Sequence, residues 1–139
     1  MIVTFCGNRV ATKEDVEESL KLIVENLIKE GADEFLLGGY GGFDRIAADV
    51  VKSFQKIYPH IKSVLVIPYL NRDYNKELYD FSVYPEIEDV HPKGAIVKRN
   101  QYMVDEAEVV VAYVKYKNGG AAKTLKYAER KNKRIIAVE

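Results

Sequence analysis

The stretch Phe35-Leu36-Leu37-Gly38-Gly39-Tyr40-Gly41-Gly42-Phe43-Asp44 decides the fold. A short, continuous apolar run breaks into four glycines within five residues. A helical stripe begins directly behind it: Ile46, Ala47, Val50, Val51, Phe54 and Ile57, ended by Pro59. A strand that enters a helix through a glycine-rich turn is the opening half of a β-α-β crossover.

The rest of the chain repeats the unit. Four more apolar runs, Ile2–Cys6, Val64–Ile67, Val109–Val114 and Ile135–Val138, are continuous rather than alternating. That pattern predicts strands covered on both faces, as in a parallel sheet. Val16, Leu20, Ile23, Val24, Leu27 and Ile28 form one helical stripe, opened by Thr12 with Asp15 as a capping box and closed by Gly31. Further stripes are Ile96, Met103, Val104 and Ala107, then Ala121, Leu125 and Ala128. The expected fold is a single Rossmann-like domain over residues 1–139. It is α/β and doubly wound, with a mainly parallel five-stranded sheet in the order 3-2-1-4-5.

Residues 68–94 break this rhythm. They hold three of the four prolines, several tyrosines and clustered acids. They read as an insertion after the third strand, either a solvated loop with one short helix near Asn71–Tyr79 or a lid or dimer contact.

Composition narrows the function. Hydrophobic residues are 47% and charged residues 30% of the 139, an ordinary globular balance. Lys+Arg and Asp+Glu are both 21, for a net charge of +0, so nucleic acid is an unexpected partner. One Cys and two His leave no disulfide framework and no structural zinc set. No metal or cofactor is implied. The acids Glu86, Glu88 and Asp89 read as a solvated loop before they read as a cation site. No signal-like start and no membrane-length apolar stretch is visible, so the expected location is the cytoplasm, with no membrane partner.

In open parallel sheets, ligands bind beyond the carboxyl ends of the strands. Three turns there are unusual. After the first strand, Gly7 permits a tight turn, and Asn8 and Arg9 place an amide and a guanidinium at the edge. Arg9 either neutralises surface acids or offers its planar fork to a phosphate or carboxylate. After the second strand, Gly38, Gly39, Tyr40, Gly41 and Gly42 let backbone amides approach a ligand ahead of a helix N-terminus. Asp44 caps that helix or accepts from a sugar hydroxyl. After the fourth strand, Asn118, Gly119, Gly120 and Ala121 again precede a helix. Thr124 donates either to a phosphate or back to the helix backbone. Arg99 and Asn100 share a helical face with Met103; Arg99 snorkels beside that stripe or points into a site. Cys6 reads as a small buried hydrophobe, and no Walker-type motif exists.

These motifs resemble the SLOG superfamily, which includes the Smf/DprA-type DNA-processing proteins, the Lonely guy phosphoribohydrolases and the small YpsA-like proteins. The YpsA-like branch is most similar, through Gly7-Asn8-Arg9, Gly38–Asp44 with Ala47-Ala48, Lys98-Arg99-Asn100 with Met103-Val104-Asp105, and Gly119-Gly120 with Thr124 and Ala128. The resemblance implies a Rossmann-like fold and a nucleotide or nucleotide-derived ligand, sensed, sequestered or carried. It also implies an alternative, a phosphoribohydrolase acting on a nucleoside monophosphate, with Arg99 in its catalytic motif. The chain departs from that second pattern, because Lys126 stands where the hydrolases carry Glu; Glu129 lies one turn further on. A lysine opposes the oxocarbenium charge that a carboxylate would stabilise. Binding is therefore the expected function. Ten tyrosines fit an interaction surface, and a homodimer is the expected assembly.

Overall fold

The computed structural model describes residues 1–70, 74–87 and 92–139. Strands β1 (Ile2–Gly7), β2 (Glu34–Leu37), β3 (Lys62–Val66), β4 (Phe81–Val83), β5 (Val109–Tyr113) and β6 (Arg134–Ala137) are joined with helices α1 (Lys13–Glu30), α2 (Gly42–Phe54), α3 (Pro92–Glu106) and α4 (Gly120–Arg130). All strand pairs are parallel, and the spatial order is β4-β3-β2-β1-β5-β6. The sheet thus has six strands rather than the expected five. The five anticipated strands lie in the anticipated order, and the sixth comes from the 68–94 segment.

That segment is better packed than a solvated loop. β4 pairs with Val64–Val66. Leu78 and Tyr79 are buried in the main core, and the buried Ser63 hydroxyl donates to the Leu78 carbonyl at 3.0 Å. The three-residue strand escaped notice because Phe81-Ser82-Val83 lies at the edge and is too short to show a period. The short helix expected near Asn71–Tyr79 falls partly outside the described residues; its described part ends in a turn at 76–78. Glu88, Asp89 and His91 also lie outside them.

Alternating side chains divide the sheet between two helical layers. Val3, Phe5, Phe35, Leu37, Leu65, Val109 and Val111 pack against α1 and α2. Cys6 and Val110 meet α4, while Leu36, Val64 and Val66 meet α3. The helix starts match their sequence signals. The Thr12 hydroxyl donates to Asp15 at 2.9 Å, and Gly31 closes α1 at φ 116°.

Aromatic packing fixes α2 over the switch point. Phe43 stacks on Tyr113 at 5.9 Å and meets Phe5 edge-on at 6.4 Å. The chain approaches so closely here that a Cβ on Gly7 would lie 2.2 Å from the Phe43 ring. A Cβ on Gly42 would lie 2.4 Å from the Ala11 carbonyl oxygen, whereas one on Gly120 would meet nothing. Gly42→Ala is therefore expected to lower the unfolding free energy by about 2 kcal/mol in urea denaturation. Gly120→Ala should leave it unchanged or raise it by up to about 1 kcal/mol.

Candidate functional site

β1 and β5 are neighbours, yet the helices that follow them lie on opposite faces, α1 with the main core and α4 beside α3. A crevice opens where the connections diverge. It is a hollow of about 410 Å³, and it collects most of the predicted site residues: Gly7, Asn8, Arg9, Tyr40, Asp44, Arg99, Asn100, Asn118, Gly119, Gly120, Ala121 and Thr124. Gly38, Gly39 and Gly41 line a second hollow of about 420 Å³ instead, together with Tyr40 and Arg99. Gly42 lines neither.

The two glycine-rich turns are physically different. In the first, every glycine answers a close contact. A Cβ at Gly38 would sit 3.0 Å from both Arg99 and Asp44, and one at Gly39 2.6 Å from Leu65. Gly41 presses on the Arg9 backbone at φ 93°. The turn also supplies its own anion. Asp44 accepts from the backbone N–H of Tyr40 at 3.4 Å and is further stabilised by the Gly38 N–H, while the Gly42 N–H donates to the Arg9 carbonyl at 2.8 Å. In the second turn, Gly119 needs its positive φ of 107°, but neither Gly119 nor Gly120 would meet any atom with an added Cβ. α4 starts with no side-chain cap and no acid in its first turn. Among the described residues nothing accepts from the N–H groups of Gly120, Ala121 and Ala122; the first helical bond runs from Lys123 to Gly119. These amides carry the positive end of the helix dipole.

Arg99 sits at 4% exposure between the hollows. It donates to the carbonyls of Gly38 at 2.7 Å and Val66 at 3.2 Å, and its Nε donates to Asn100 at 2.9 Å. It therefore does not snorkel: the buried stripe of α3 is Ala95, Arg99, Met103 and Val104. Burial pushes the Asp44 carboxyl up to about 6, against the opposing pull of Arg99 and the Tyr40 and Gly38 amides.

Other residues have structural duties. Asn8 accepts from the Lys115 N–H at 2.7 Å and its own N–H donates to the Tyr113 carbonyl, tying the first and third turns together. Thr124 donates to the Gly120 carbonyl at 2.9 Å, the helix-backbone alternative. Cys6 donates to the Ala121 carbonyl at 3.1 Å, and burial pushes its thiol up to about 12, which disfavours the thiolate. Arg9 is exposed, lies over the Tyr40 ring at 4.4 Å and pairs with no carboxylate among the described residues. Lys126 lines a separate groove between α3 and α4, and Glu129 is exposed on the far part of that helix. Sequence reading did not single out Tyr69, Tyr74, Asn75 or Tyr79, which line the second hollow. The tyrosine density of the 68–94 segment was the available signal. Among the described residues no three His, Cys, Asp or Glu gather, and no helix is long and apolar enough to cross a membrane.

Three comparisons bear on this geometry. The model of the YspA SLOG family matches residues 8–138. The "uncharacterized SPbeta prophage-derived protein YoqJ" of Bacillus subtilis (strain 168) is 28% identical, over 83% of this chain and 81% of that one. DNA processing protein A from Helicobacter pylori, whose structure concerns its single-stranded DNA binding mode, superposes with a TM-score of 0.69 at 21% identity. That match covers 99% of this chain and 64% of the other, so the chain spans under two thirds of that relative. The last comparison corrects one expectation. A net charge of +0 makes nucleic acid an unexpected partner, yet a protein of this fold binds single-stranded DNA. A whole-chain charge of +0 does not describe any one face. Arg9, Lys115 and Lys117 stand beyond the carboxyl ends of β1 and β5, beside the crevice. The local field governs binding.

The raised Asp44 value has a measurable sign. The folded state holds this proton more tightly than the unfolded chain, whose carboxyl titrates at its ordinary value of 3.8. Stability from this group is full below that value and is lost as pH rises through about 6. Relative to Asp44→Asn, the wild type should therefore lose about 2 to 3 kcal/mol between pH 4 and pH 7, read from urea unfolding of both proteins across that range.

Proposed function

Starting from the fact that the chain belongs to the YpsA family of the SLOG superfamily, we propose that it binds a nucleotide or nucleotide-derived ligand, with a phosphate seated on the first turn of α4. One observation carries this reading. The helix begins uncapped at Gly119, its leading amides have no partner among the described residues, and it opens onto the switch-point hollow. Phosphate suits such a start because several N–H donors and the helix dipole act on one anion. Arg9 supplies the mobile countercharge at the rim, and the Arg9–Tyr40 stack offers a flat surface to a base. Asp44 and Asn100, which line the hollow, would meet hydroxyl groups of the sugar in this reading. The Gly38–Gly42 turn serves this site by holding Asp44 and Arg99, with its anion requirement already met internally.

A specific observation favours a second reading, in which the ligand is single-stranded nucleic acid. The switch-point hollow shares Ile96, Asn100, Gly120 and Thr124 with the groove between α3 and α4, whose rim carries Lys123, Lys126 and Arg130. A polymer entering the hollow would have a basic path onward. The hydrolase alternative lacks such support. Of its motif positions Arg99 lines the hollow, but Lys126, where the carboxylate would stand, and Glu129 lie outside it, and among the described residues the carboxylate lining the hollow is that of Asp44.

Calorimetry against AMP, GMP and UMP is expected to give saturable binding, and Gly120→Asp should weaken it at least about tenfold by placing a carboxylate at the helix start. Absence of binding in a folded sample contradicts the proposal. Tighter binding of oligodeoxythymidylate, lost in Lys126→Glu while mononucleotide affinity is kept, would select the second reading. Chromatography after long incubation should recover each monophosphate intact.

A further inference from the structure

The second hollow is chemically unlike the first. Its walls are Leu65, Ile67 and Leu78 with the rings of Tyr69, Tyr74 and Tyr79, and it opens to the switch-point hollow across Tyr40, Ile96 and Arg99. A volume of about 420 Å³ leaves space for a ring the size of a hexose, a ribose or a nucleobase.

Arg45 and Asn75 also line it, both exposed, and Tyr79 supplies a buried hydroxyl. Its side chain is 7% exposed and belongs to the main core. Its hydroxyl lies at the glycine turn, 3.5 Å from the place a Gly39 Cβ would take. No backbone or side-chain group among the described residues hydrogen-bonds that hydroxyl. Among the described residues every side-chain nitrogen or oxygen fully closed off from solvent has a partner, so the Tyr79 oxygen is one that opens into the hollow it lines. Burial holds the phenol well above its usual range, up to about 12, so it stays protonated and can donate.

We propose that this hollow is a second subsite, and that the ligand is a nucleoside diphosphate carrying a further ring on its distal phosphate. This rests on the phosphate seat proposed above and names the substrate class. The phosphates would lie over the α4 start and Arg9, and the further ring would pass Tyr40 and Arg99 into the tyrosine hollow. Tyr79 would donate to an oxygen or nitrogen of that ring. Stacking area from the aromatic walls and one buried donor give such a subsite both affinity and selectivity.

The test compares matched ligands that differ only in the further ring: UDP with UDP-glucose, and ADP with ADP-ribose, by calorimetry on the full chain. At least one ring-bearing ligand is expected to bind about tenfold or more tighter than its diphosphate. Tyr79→Phe keeps the ring and the core packing; it should reduce that ratio about fivefold while the diphosphate affinity and the urea midpoint stay unchanged. Equal affinities within both pairs, or a ratio unmoved in Tyr79→Phe, overturn the second subsite and leave the phosphate seat standing. Failure of all four ligands to bind overturns the phosphate seat and the subsite with it.

Discussion

A buried guanidinium is the fixed point of this molecule. Arg99 holds the carbonyl at the end of β2, through Gly38, and the last carbonyl of β3, at Val66. Its charge also bears on Asp44 in the first turn of α2. Three elements are thereby locked at the carboxyl edge of the sheet by one side chain delivered from α3. Such a group is costly to bury and costly to remove, because its loss would leave two carbonyls and a carboxylate with fewer partners. It also stands as the shared wall of the two hollows, so the geometry of both is set by the same contacts.

The constraint divides the labour of the glycine-rich turns. The turn after β2 is crowded, and its glycines make room for Arg99, Leu65 and the Arg9 backbone. Its amides face the protein's own carboxylate. The turn before α4 is roomy, and its leading amides have no partner among the described residues. Glycine in the first case relieves contact; in the second it leaves space. An internal anion in one turn and a vacant donor set in the other make the α4 start the place where an external anion gains most.

Much of this was legible from residue order. Continuous apolar runs and 3.6-residue stripes fixed the doubly wound sheet, since strands covered on both faces leave no polar alternation. Twelve of the predicted site residues meet in one hollow because the topology brings every β-to-α turn to the same edge. The edge strand Phe81–Val83 was not legible, being three residues long and partly exposed. Nor was the reason for each glycine: Gly38–Gly42 and Gly119–Gly120 look alike as strings, and only the third dimension shows one turn filled and the other open. Tyr79 was hidden for the same reason, since it joins the core from a segment without periodicity. Net charge misled because a sum over the whole chain carries no information on the local field beside the crevice, where Arg9, Lys115 and Lys117 stand.

Amide chemical-shift mapping tests the α4 seat most directly. On titration with AMP or UMP, the amides of Gly119, Gly120 and Ala121 should show the largest saturable shifts, while those of Gly38 and Tyr40, already engaged by Asp44, should move little. Dominant shifts at Gly38–Gly42 with the start of α4 unchanged would contradict the account.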